Sequence, residues 1–263
     1  MKTTRKAVLN LVSLLITLAV NTLGAIGLIN GLTQKQISDM YVTLITPGPL
    51  TFSIWSVIYA LLLISVIVMI ARKKDPYYQE AIERITALFW LSCILNVAWI
   101  VMFSFVQVEI STLFIAAFLV TLALIDKKLL EIRQGRRWLL PLTFGLYSGW
   151  LFIATVVNAA AALTKLGWNG FGLSNELWAI IMLSVAVVLL GLVMLKLRNA
   201  AFPLPVAWAY FGIYLFLKAP EGFQGQYGTL ETVSLAGAAL LVVIALIAFL
   251  RNRFSVLPAG AKK

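Results

Sequence analysis

The sequence predicts an all-α integral membrane protein, a bundle of five helices followed by about three further transmembrane helices. Three observations carry that prediction. The 263 residues are 62% hydrophobic with a mean hydropathy of +0.97, and a water-soluble domain of this size needs far more polar surface to cover itself. The apolar residues gather in runs about as long as the roughly 17 to 25 residues that cross a bilayer. The basic residues collect in alternate connections, the asymmetry that orients membrane helices.

Eight spans are read in order, near residues 7–29, 50–71, 85–106, 110–126, 138–163, 177–195, 203–218 and 231–250. The first follows a basic start but is long and has no clear small-residue cleavage site, so it reads as a retained helix. Its Asn21, Gly24, Gly27 and Gly31 recur at roughly helical spacing and offer a neighbour a close approach. The connection 30–49 is the longest polar one and ends in Pro47-Gly48-Pro49, a turn that starts the second span sharply. The fourth and seventh spans are short. The seventh opens with Pro203 and Pro205 and fits either a helix or a kinked, re-entrant segment. Residues 164–176, with Gly167, Gly170 and Gly172, form a second outer loop, which places a boundary between a module over 1–163 and an extension over 164–263.

The net charge of +11 resembles a nucleic-acid signal in size only, because its distribution is topological. With a cytoplasmic N-terminus, that side holds Lys2, Arg5, Lys6, Arg72, Lys73, Lys74, Arg84, Lys127, Lys128, Arg133, Arg136, Arg137, Lys196, Arg198, Arg251, Arg253, Lys262 and Lys263. Only Lys35, Lys165 and Lys218 fall on the other face. The expected partner is the lipid bilayer, with no nucleic acid, an even number of crossings and both termini cytoplasmic.

The chain has no histidine, which removes the usual metal ligand, proton shuttle and base of a nucleophile together. Cys93 is the only cysteine, so no internal disulfide forms. There is no glycine-rich phosphate loop. The ten acidic residues are read as lying in loops or at helix ends, Asp126 among them, without the mid-membrane carboxylate that ion-coupled transporters keep. No catalytic residue and no metal ligand is assigned.

What remains is a set of aromatic and amide stripes: Phe52/Trp55/Tyr59 on the second span, Asn96/Trp99/Phe103 on the third and Tyr147/Trp150/Ala154/Asn158 on the fifth. Spacings of three and four put each set on one side of its helix, so three faces could enclose a flat apolar ligand. Trp55 lies shallow enough to be an interface tryptophan. Trp99 and Trp150 are read near the middle of their spans, away from the interfaces where tryptophan concentrates. Asn96 and Asn158 must face other helices or a cavity, because an unpaired amide in lipid is costly. Ala154 leaves a recess between Trp150 and Asn158 where a ring could lie.

These residues resemble the tryptophan-rich sensory protein or translocator protein family, TspO/MBR. The resemblance rests on Tyr41-Val-Thr-Leu44-Ile-Thr-Pro47, Trp55-Ser-Val-Ile-Tyr59, Leu95-Asn96-Val-Ala-Trp99-Ile-Val-Met-Phe103 and Tyr147-Ser-Gly-Trp150 through Ala154 to Asn158, in family order and spacing. It covers roughly residues 7–163. Met40, Ser92, Ser104 and Leu146 stand where the family has tryptophan, glutamine, phenylalanine and proline, and the cholesterol-recognition pattern is missing after Asn158.

The resemblance implies a five-helix module, often dimeric, whose pocket binds porphyrins and in some members sterols. It makes Trp55 and Trp150 the pocket tryptophans, Ala154 and Asn158 the wall on the fifth span, and the loop before Pro47, with Tyr41, the lid. The expected function is binding of a tetrapyrrole between the second, third and fifth spans, as a sensor or regulator in a bacterial plasma membrane. The alternatives are export of a small amphipathic solute and light-dependent porphyrin degradation, which the resemblance attributes to the tryptophan pair in some members.

Overall fold

A computed structural model describes residues 3–132 and 137–258. Lys2, Arg133, Arg136, Lys262 and Lys263 of the basic pattern lie outside the described residues. Among those described the chain is helical, without strands. It forms α1 Thr3–Ala25, α2 Gln34–Met40, α3 Ile54–Ala71 behind a 3₁₀ turn at Pro49–Ser53, α4 Pro76–Ser104, α5 Val108–Leu130, α6 Leu139–Lys165, α7 Asn175–Leu197, α8 Pro203–Lys218 and α9 Gly228–Arg251. Seven segments are long and apolar enough to cross a membrane. Helix α8, at 16 residues, spans about 24 Å at ~1.5 Å per residue. It is one unbroken helix packed against α6 and α9, so the re-entrant alternative is not what forms. The protein is an all-α multi-pass membrane protein, and side chains such as Leu113, Val188 and Leu195 stand exposed on its lipid-facing side.

Element ends follow local chemistry. Helix α4 starts nine residues before the expected 85, because Asp75 caps it by accepting from the Tyr77 amide at 2.9 Å and Pro76 occupies the first turn. Glu80 and Glu83, expected outside a span, therefore sit on its first turns, where Glu83 pairs with Lys6 and Arg84 joins Glu80 to Glu131. The connection 30–49 holds a helix that hydropathy does not reveal. Thr33 and Gln36 form a reciprocal cap, with the Gln36 amide donating to Thr33 Oγ1 at 3.1 Å and the Thr33 amide to Gln36 Oε1 at 2.8 Å. Helix α1 ends at Ala25, so only Asn21 and Gly24 of its small-residue series are helical; Gly27 and Gly31 take positive φ in the following turn.

The charge pattern maps onto the two ends of the bundle. Arg137 pairs with Asp75 at 2.8 Å at the end that holds the N-terminus, and Lys165 pairs with Glu109 at 2.7 Å at the other.

The last three helices are keyed into the first six. A Cβ at Gly149 would lie 2.0 Å from the Phe202 carbonyl oxygen, and one at Gly145 2.4 Å from Asn199 Oδ1, so α6 presses directly on the turn before α8. Asn199 donates to Pro141 O at 2.8 Å and to Asp126 Oδ1 at 2.9 Å, while Ser148 donates to Asp126 Oδ2 at 2.6 Å. Asp126, expected to be peripheral, is thus fully buried between α5, α6 and that turn. Along its middle, at Trp208 and Gly212, α8 holds the entry to α3. Gly212 accepts from the Gly48 amide at 3.2 Å, the Trp208 indole donates to Thr51 O at 2.9 Å, and a Cβ on Gly212 would come within 1.9 Å of Thr51 Oγ1.

Replacing Gly149 with alanine forces α6 off the Phe202 carbonyl and is expected to cost about 1–3 kcal/mol, read as a lower Tm in detergent. Gly191→Ala, whose Cβ meets nothing within 4 Å, should leave Tm unchanged or raised.

Candidate functional site

The late start of α3 creates the site. Trp55 is the second residue of α3, yet its ring lies 6.1 Å from that of Trp150. Trp150 is 15 residues from the end of α6 at Lys165, about 22 Å at ~1.5 Å per residue. Helix α6 therefore runs several turns past the start of α3, and α1 and α4 flank the space left above it. A cavity of about 780 Å³ fills that space. Its lid is α2 with residues 41–47, and its remaining wall is Phe216, Glu221, Gly222 and Phe223.

Ten of the twelve residues singled out in the sequence line this cavity. Tyr41 and Pro47 come from the lid, Phe52, Trp55 and Tyr59 from α3 and its entry, Trp99 and Phe103 from α4, and Trp150, Ala154 and Asn158 from α6. Asn96 and Tyr147 do not. They stand behind the wall, holding it.

Trp55 is the hub of the aromatic wall. It stacks on Tyr59 at 5.1 Å and on Trp99 at 5.9 Å, and meets Tyr147 and Trp150 edge-on, each at 6.1 Å. Phe52 meets Trp150 edge-on at 5.9 Å. These offset and T-shaped arrangements suit the ring quadrupoles. Trp150 sits mid-helix as expected, but Trp99 lies only five residues from the end of α4, and the early start of α4 at Pro76 moves the middle of the helix further from it. Contact with Trp55, more than depth, places Trp99 in the site.

The amides are committed to other helices. Tyr59 Oη donates to Asn21 Oδ1 at 2.7 Å, Asn21 Nδ2 to Asn96 Oδ1 at 2.6 Å, and Asn96 Nδ2 to Tyr147 Oη at 3.0 Å. This chain ties α3, α1, α4 and α6 together in sequence. Asn158 donates to Thr112 Oγ1 at 2.6 Å and Ser111 Oγ at 3.1 Å, and accepts from the Trp99 indole at 3.4 Å. Interhelical hydrogen bonding, worth ~0.6 to 2 kcal/mol per contact in lipid, thus accounts for both amides. Trp150 Nε1 is buried without a partner among the described residues. At the rim Lys35 and Asp39 pair with one another, leaving Glu221 as the unpaired charge among the lining residues described.

Sequence reasoning missed Asn21, Val157, Ala161 and the C-terminal wall. Val157 and Ala161 continue the Ala154/Asn158 stripe and were within reach of periodicity. Phe216 and Phe223 carry no local signal, because only the packing of α8 brings them here. Among the described residues no cluster of three metal-ligating side chains occurs.

A family model described as TSPO-like protein matches residues 7–250, from α1 through α9. No curated protein and no solved structure matches the chain significantly.

Asn21→Leu removes the centre of the four-helix hydrogen-bond chain and leaves Tyr59 Oη and Asn96 Oδ1 buried and unpaired, at an expected cost of about 1–3 kcal/mol. In a double-mutant cycle with Tyr59→Phe, thermal melts should give non-additive losses; additive losses would show that the bond between them contributes nothing.

Proposed function

The chain belongs to the TSPO-like protein family, and from that premise we propose that it binds a flat, largely apolar molecule of tetrapyrrole size in the cavity over α3, as a sensor or regulator. The reading places it in a bacterial plasma membrane, with its basic end and both termini cytoplasmic.

The continuous ring surface of Trp55, Trp99, Trp150 and Phe52 beside the Ala154 recess carries this reading. A volume near 780 Å³ falls within the roughly 300 to 1,000 Å³ of small-molecule pockets. With the amides spent on helix contacts, recognition rests on stacking and on the displacement of water from apolar walls. An axially ligated haem would need tyrosine, methionine or cysteine. Cys93 does not line the cavity, the Tyr59 hydroxyl is already donated to Asn21, and the other lining tyrosine, Tyr41, stands on the irregular lid segment and not on a helix that would hold it over a ring. A metal-free porphyrin suits these walls better.

The contact sequence Trp150, Trp55, Trp99 favours one second reading. An illuminated porphyrin could take an electron from the ring next to it and pass its own to dioxygen, with the neighbouring indoles sharing the hole. Illumination in air would then yield a new pigment, lost in Trp55→Phe or Trp150→Phe.

Porphyrin titration should quench tryptophan fluorescence saturably. Ala154→Phe, which fills the recess, should weaken binding about tenfold or more. Quenching no greater than that of a Trp55→Phe/Trp150→Phe double variant would sink the binding proposal.

A further inference from the structure

A smaller cavity of about 390 Å³ lies on the other side of the lid, between the outer ends of α6 and α7. None of the twelve residues discussed above lines it. Ala160 on α6 and Ala179 on α7, both buried, are too short to fill the space between their helices. Trp178 and Trp168 form an aromatic wall, and Trp178 is held by its neighbours in the lining. Its indole donates to the Gly170 carbonyl, its ring lies 4.8 Å from that of Trp168, and a Cβ on Gly170 would come within 2.8 Å of it. Thr43, Thr164, Asn175 and Tyr227 give the lining a larger polar share than that of the main cavity. The Asn175 amide and the Tyr227 hydroxyl make no hydrogen bond with the described residues.

Val42 and Phe223 line both cavities, so each side chain has one surface toward either space. Both lie on irregular segments, 41–48 and 219–227, not on helices. Val42 is exposed and Phe223 half-buried, so both can shift with the segment that carries them, and a shift that widens one space narrows the other.

We propose that the smaller cavity is a second binding site, for a flat amphipath of two or three fused rings carrying one hydrogen-bonding group, and that its occupancy weakens binding in the main cavity through Val42 and Phe223. Half the volume of the main cavity excludes a whole tetrapyrrole but suits a smaller ring system. Trp178 offers a fixed face for stacking, and Asn175 and Tyr227 offer free hydrogen-bonding groups to the polar end. Only the coupling rests on the reading of the main cavity, and coupling of this kind is reciprocal.

The test uses 1-azidoanthracene as photolabel and 1-aminoanthracene as competitor on the full chain in detergent. Label is expected within residues 160–182, located by mass spectrometry. Ala179→Trp should lower it about tenfold in a variant whose Tm matches wild type, with little label in the main-cavity segment 47–59 of either protein. Ala160→Leu, a smaller filling on the facing helix, should act in the same direction and serves if Ala179→Trp does not fold. Label confined to the main cavity, or label in 160–182 that is unchanged in a folded variant, overturns the second site. In wild type, saturating 1-aminoanthracene should weaken porphyrin binding about fivefold or more, and this effect should vanish in the filled variants. Unmoved porphyrin affinity overturns the coupling. A wild type that binds no porphyrin condemns the reading of the main cavity instead, and the labelling then decides the second site alone.

Discussion

The hydrogen-bond chain from Tyr59 through Asn21 and Asn96 to Tyr147 sets the geometry on which the cavity depends. Four helices contribute one residue each, joined by three hydrogen bonds. Asn96 and Tyr147 are buried away from the cavity, where no water can replace a lost partner, so a register shift in α4 or α6 strands polar groups. Apolar packing alone discriminates registers weakly in lipid, because the tails are as apolar as the side chains. The chain therefore fixes which turn of α1, α3, α4 and α6 faces the centre. Trp55 and Trp99 then meet because each lies within one turn of a residue in that chain.

A second polar knot, Asp126 with Ser148 and Asn199, performs a related task at the other end. It joins α5 and α6 to the turn that launches α8, where Gly145 and Gly149 remove the side chains that would hold that turn away. From there α8 runs toward the opposite end, with its middle, at Trp208 and Gly212, docked on Thr51 and Gly48. The cavity's last wall, Phe216 to Phe223, is a consequence of where that short helix ends. Residues 164–263, read in the sequence as an extension, thus contribute contacts to the lid and the cavity. The family match runs through them as well.

Separation of roles among the polar residues bears on the proposed function. Asparagine on a membrane helix offers either a ligand contact or a helix contact, and Asn96 and Asn158 make the second. The wall left to a guest is aromatic and aliphatic, with polar groups concentrated at the rim. Such a surface recognises shape and ring area, and it tolerates differences in the pattern of polar substituents.

Much of the fold was legible in the sequence, because bilayer thickness turns hydropathy into helix length. The eight helical spans, the Pro47-Gly48-Pro49 entry and the stripe positions Trp55, Trp150 and Ala154 all follow from period and composition. Ends were less legible. Asp75 and Thr33 start α4 and α2 through local hydrogen bonds that hydropathy averages away, and Asp126 looked peripheral because its partners Ser148 and Asn199 are distant in sequence. By itself the sequence determined which residues share a helix face and that the helices are apolar enough to lie in a membrane. Only the tertiary structure decided that Trp55 is the centre of the ring cluster, that the asparagines bind helices, and that Phe216 and Phe223 complete the wall. The physical reason is that periodicity is a property of one helix, whereas a cavity is the space several helices fail to fill, and that depends on their relative heights.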